Sequence, residues 1–260
     1  MTAILRNESK GHQRSSLALT GVLVMVTAVF LAVFPAMKDE ADAIEAAYPD
    51  YLLELMGLEE LSTIEGFAGG YVYPFVWILF AGMYFGYVGA GTVSDDVRTR
   101  KMDLILSYPV SRESVIAQKV AALWVPMVAL NVGMLAVMAA GARAVGESFD
   151  PVTLAMVHLL GVPYLLVCAG IGLVLSVATN RSGRARAGAL GAVFLLWLLD
   201  GLAALESDYE WISELTPSHY YDPTAILLRE EYAFLDAAIL LVAFLTLFIA
   251  ATVQFVRRDI

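Results

Sequence analysis

The chain has 260 residues, 59% of them hydrophobic, and a mean hydropathy of +0.71, values that exclude an ordinary soluble domain. Its 26 acidic side chains outnumber 16 basic ones, a net charge of −10 that excludes a basic nucleic-acid-binding surface. The lone cysteine, Cys168, excludes an intrachain disulfide.

A basic N-terminal stretch (Arg6, Lys10, Arg14) leads into the first of six apolar runs, at 17–37, 69–93, 120–142, 151–179, 187–205 and 237–256. Each reaches the ~20 residues that a helix needs to cross a bilayer core of ~30 Å. Strands of a membrane barrel would alternate polar and apolar positions instead. The first run is longer than the ~7–15 residues of a secretory signal core and no small-residue cleavage site follows, so it reads as a retained helix. The first outer loop, 38–68, holds Pro49 and Asp50, a plausible helix start. From there Tyr51–Leu61 forms a short, imperfectly amphipathic helix for the outer membrane surface. In the second run, Gly82 and Gly86 allow close helix approach, which internal packing explains as well as dimerisation does.

The segment 94–119 is the most informative soluble piece. Met102, Ile105 and Leu106 share one helical face, as in a helix at the membrane surface. Pro109 breaks that helix and Ser111 caps the next, which runs on into the third span. The product is an elbow. Arg98, Arg100, Lys101 and Arg112 balance Asp95, Asp96, Asp103 and Glu113, and a net-neutral, mixed-sign surface suits a protein contact better than anionic lipid. A merely solvated face is the other reading.

Sorting the bases across the six spans places 13 on one side (the N-terminus, the second and fourth loops, the C-terminus) and only Lys38, Arg143 and Arg229 on the other. Cytoplasmic loops hold the excess of Lys and Arg, so both termini are expected inside. The outer loops hold 19 of the 26 acids. That exterior reads as a solvated surface, compatible with a high-salt source, or as a cation-collecting vestibule. The sequence thus predicts an all-α integral membrane protein, one transmembrane domain over 1–260, with six helices, cytoplasmic N- and C-termini and an interfacial elbow between helices two and three. No internal repeat supports an inverted-repeat transporter.

Chemistry is sparse. None of the four lysines sits in a phosphate-binding loop, so any ATP and magnesium would be held by a separate chain. The three histidines (His12, His158, His219) share no metal-ligand spacing, and no cofactor site is expected. Asp200, the one acid inside a span, serves a transport role, a hydrogen bond within the bundle, or an anion at the membrane interface. His158, in the fourth span, serves either such a transport role or packing and interface satisfaction.

Three stretches resemble the permease subunits of ABC-2-type transporters: Leu104-Ile-Leu-Ser-Tyr-Pro-Val-Ser-Arg112 with Lys119 beyond it, Leu215-Thr-Pro-Ser-His-Tyr-Tyr-Asp-Pro223, and Phe255-Val-Arg-Arg-Asp-Ile260. With the six spans, the likeness covers the whole chain and looks closest to the copper-processing or sodium-export branch. Arg100 and Lys101 replace that family's Gly-Thr pair, which predicts a longer surface helix. The resemblance implies a plasma-membrane half-transporter that dimerises with a second permease copy, meets membrane lipid, and couples to cytoplasmic ABC ATPase subunits to export a substrate. It makes the elbow a coupling helix, with Pro109, Ser111, Arg112 and Glu113 in contact and Asp96, Arg98 and Lys101 behind them. The alternatives are a non-transporting membrane anchor that recruits an ATPase, and a membrane-embedded enzyme built on Asp200, His158 or His219.

Overall fold

Six apolar helices pack lengthwise in a computed structural model that describes residues 3–47, 60–203 and 207–257. The first, α1 (Ala3–Ala47), is ~68 Å long at 1.5 Å per residue, so it projects well beyond a ~30 Å bilayer core. The second, α2, runs Ile64–Arg98 and is π-helical over Ala68–Ala81. Thr63 caps its start by accepting from the Gly66 N–H. Two short helices follow, α3 (Lys101–Leu106) and α4 (Arg112–Ala121). The remaining long ones are α5 (Trp124–Ala144), α6 (Pro151–Ala178) and α7 (Ser182–Ala203). After the short α8 (Glu210–Ser213) and α9 (Pro223–Arg229), the chain closes with α10 (Phe234–Arg257). No strand occurs among the described residues. The helix expected from Asp50 onward falls largely at 50–59, outside the described residues; Glu60–Ser62 form a turn.

The core is the parallel pair α2 and α6. Lipid gives little hydrophobic drive for one helix to leave it for another, so close packing must hold them. A Cβ on Gly172 would collide with the Gly86 carbonyl, and one on Gly89 with that of Ala169, so the two backbones touch. Ser176 Oγ accepts from the Val93 and Ser94 amides, both at 2.9 Å. The glycines that left dimerisation open in the sequence are used here inside one subunit: Gly82 faces Tyr164 and Gly86 faces Val193.

Around this pair α1 lies parallel to α5. Thr27 donates to Met134 Sδ at 3.5 Å, and Lys38 pairs with Glu147 at 2.5 Å. The helix expected to run from Ser111 straight into the third span is interrupted at Ala122–Leu123. Pro126 explains the break, because it offers no N–H to the Ala122 carbonyl four residues back and its ring crowds that carbonyl. Outward faces of α1, α7 and α10 remain exposed and apolar, with Met25, Leu195 and Val242 among them.

Candidate functional site

At one end of the bundle the chain turns sharply out of α2. Thr99 ends that helix and Arg100 takes a left-handed conformation (φ 58°), so α3 starts afresh at Lys101. The longer surface helix expected here is therefore corrected: residues 94–98 extend α2, and α3 has only six residues. Its Met102 is buried, whereas Leu104 stands 67% exposed. Pro109 and Ser111 shape the bend as expected, with Ser111 Oγ accepting from the Ser114 N–H at 3.2 Å. Pro109, Ser111, Glu113 and Arg98 all lie at the surface, and Tyr108 is 69% exposed. Between α3 and the start of α1 runs a groove of about 440 Å³ with largely apolar walls, including Ile4, Leu104, Ile105, Tyr108 and Val110.

Arg112 points elsewhere. Its Nη1 donates to the carbonyls of Phe255 (3.2 Å) and Val256 (3.4 Å), and its guanidinium lies 5.8 Å from the Phe255 ring centroid. It thereby serves the carbonyl end of α10, a common use of a base near a helix C-terminus.

Asp96 and Lys101 also turn inward, into a closed ring of alternating charge. Lys119 Nζ lies 2.6 Å from Asp96 Oδ2 and 3.1 Å from Glu8 Oε1; Lys101 Nζ lies 2.7 Å from the same Glu8 oxygen and 3.5 Å from Asp96 Oδ1. The ring ties α1, α2, α3 and α4 together. Lys119 is only 2% exposed, so its charge is tolerable only because both acids face it. Burial works against the Lys101 charge, but Glu8 and Asp96 outweigh it and raise its pKa. Glu8 escaped the sequence reading because its partners lie 88 or more residues away, although a lone acid between Arg6 and Lys10 in a basic segment is the feature that could have pointed to it. At the same end Arg186 of α7 pairs with Asp95 of α2 at 2.5 Å and lies 4.3 Å over the Tyr87 ring centroid.

The sequence model of the ABC-2 family transporter proteins matches residues 2–260, nearly the whole chain. The chain belongs to the ABC-2 transporter family. No curated protein matches it. It is accordingly a multi-pass membrane protein and a transporter permease by family.

At the opposite end of this ABC-2 bundle, Asp200 Oδ1 accepts from the Ser213 hydroxyl and from Thr216 Oγ1 at 2.8 Å. Both donors lie beyond α7, so the acid anchors the returning loop. The Tyr221–Asp222–Pro223 stretch seats that loop further. Tyr221 donates to the Val157 carbonyl at 2.9 Å, while Asp222 caps α9 through the Ala225 N–H at 2.9 Å, with Pro223 in the first turn. His158 lies apart from Asp200's partners, among aromatic rings: Trp77 at 5.1 Å and Tyr73 at 5.8 Å, both edge-on. Its Nδ1 is 2.8 Å from the Leu154 carbonyl. The two intramembrane candidates thus enter separate packing arrangements, which gives neither a reacting partner among the described residues.

Proposed function

We propose that this ABC-2 chain is the permease half of an ATP-driven exporter of the plasma membrane, docking through its elbow onto a separate cytoplasmic ABC ATPase. ATP and magnesium are held by that ATPase, which this chain recruits and obeys. Two permease copies form the translocation path, and their bundles rock as rigid bodies when the ATPase subunits close. Both termini and the elbow lie in the cytoplasm, where Lys and Arg in excess favour retention.

The observation that supports docking best is the pair of large side chains, Leu104 and Tyr108, left in the open on a bend braced by buried charge. Exposed apolar residues beside fixed charges are the composition of an interface centre and its rim. Of the contacts expected from sequence, Pro109, Ser111 and Glu113 stay with the docking surface. Arg98 joins its edge; Asp96 and Lys101 brace it from behind. Arg112 is withdrawn from it, being engaged by α10.

The test is co-purification with an ABC ATPase co-expressed with this chain. Leu104→Ser combined with Tyr108→Ser should lower recovery of the ATPase at least tenfold, about 1.4 kcal/mol, while the permease keeps its melting temperature. Full recovery of the ATPase with this double variant would remove the elbow from the docking site.

A further inference from the structure

The ring of Glu8, Lys101, Asp96 and Lys119 does something that the docking surface alone does not require: it ties the elbow to the start of α1. Every lysine in it touches both acids, and each of the four groups comes from a different helix. With two charges of each sign the ring is neutral, so it is already satisfied and offers no charge for an ion or a lipid headgroup to neutralise. Sliding α3 against α1 would have to break the 2.7 Å contact between Lys101 and Glu8. Sliding α4 against either neighbour would strip partners from Lys119, which has almost no access to replacement water. A second tie lies one turn away, where Gln118 Oε1 of α4 accepts from the Leu5 N–H at 3.3 Å in the first turn of α1. That amide is one of the four that a helix start leaves without an internal partner.

Beyond the ring, α1 has the length to act as a lever. It runs from Leu5 beside Gln118 of α4 and then parallel to α5, through Thr27 beside Met134, to Lys38 beside Glu147 at the opposite end of the bundle. A push delivered at the elbow and locked to α1 reaches that opposite end through one continuous helix.

We propose that Glu8 is a positioning residue for coupling: by closing the charge ring it makes the elbow and α1 move as one body, so that ATPase movement is transmitted along α1. This rests on the docking reading above. Glu8 itself faces inward and is not a docking contact.

The experiment uses the full chain with Cys168→Ala and nitroxide labels at Arg6→Cys on α1 and Asp103→Cys on α3, both exposed positions. Distances are measured in the permease alone and with its ATPase, with and without a non-hydrolysable ATP analogue. With Glu8 intact, one narrow distance should persist under all conditions. Glu8→Gln removes the charge at almost no change in size; it should broaden that distance and make it respond to nucleotide. The same variant should lose the permease-dependent stimulation of ATP hydrolysis at unchanged affinity for the ATPase, a separation that simple unfolding does not give. Arg6→Gln, an exposed charge beside Glu8 in sequence, should change neither hydrolysis nor affinity. A nucleotide-dependent distance with Glu8 intact, or full stimulation with Glu8→Gln, overturns the proposal. Should the ATPase fail to bind the native chain, the docking reading falls by itself, and the ring is still judged by the distances in the permease alone.

Discussion

Removing Lys119 is the sharpest test of whether the charge ring stabilises the fold. Lys119→Met keeps most of the side chain's volume and deletes only the charge. The lysine is 2% exposed and lies 2.6 Å from Asp96 and 3.1 Å from Glu8. Breaking a buried ion pair by deleting one partner costs about 3–5 kcal/mol, because the other charge is left uncompensated. Here the loss is smaller, since Lys101 still faces Glu8 at 2.7 Å and Asp96 at 3.5 Å. About 2–3 kcal/mol remains after that offset, starting from the same range for buried pairs. At about 2–4 °C per kcal/mol for a chain of this size, the melting temperature should fall by roughly 4–12 °C. Cys168 provides the assay, because the only thiol in the chain is buried and becomes reactive toward a thiol-specific dye only as the bundle opens. The control is Lys38→Met, which removes a solvent-exposed pair with Glu147 worth about 0–1 kcal/mol. Adding Asp96→Asn to Lys119→Met should recover part of the loss by removing the stranded acid. Equal shifts for Lys119→Met and Lys38→Met would refute the reasoning.

Two further outcomes probe the packing. Gly172→Ala places a methyl against the Gly86 backbone, which cannot give way as a flexible side chain would, so folded yield in detergent should collapse; Gly191→Ala, with nothing near the added methyl, should keep or slightly raise the melting temperature. Asp200→Asn retains an acceptor for Ser213 and Thr216 and should melt nearly as the native chain does. Asp200→Leu removes the acceptor of the Ser213 hydroxyl, while Thr216 can still donate to the Ser213 carbonyl at 2.8 Å, and should cost about 1–3 kcal/mol.

The six spans could be read from the chain because each one must by itself present some 20 apolar residues to lipid, a requirement that is local in sequence. The bend was legible for the same reason: Pro109 lacks an N–H and Ser111 has a capping hydroxyl wherever they stand. What the elbow's charges do was not legible. Asp96, Lys101 and Arg112 look alike in a list of charged residues, yet two close a ring and the third serves α10, a distinction set by helices distant in the chain. Lys119 was noted only as part of a motif; its burial depends on Glu8, 111 positions away. The break at Ala122 was in principle readable from Pro126, whose effect reaches back four residues. The π-helical stretch of α2 left no periodicity to find, because Ala68–Ala81 is apolar nearly all round.

The central claim is that the elbow meets a cytoplasmic partner, and the most direct measurement is which side of the membrane it faces. In a Cys168→Ala background, Ser107→Cys places a thiol on the exposed elbow and Glu231→Cys places one at the other end of the bundle. A membrane-impermeant maleimide applied to intact cells should label position 231 and spare position 107, and inverted vesicles should show the reverse. Labelling of position 107 from outside intact cells would contradict the topology, the docking surface and the coupling role built on them.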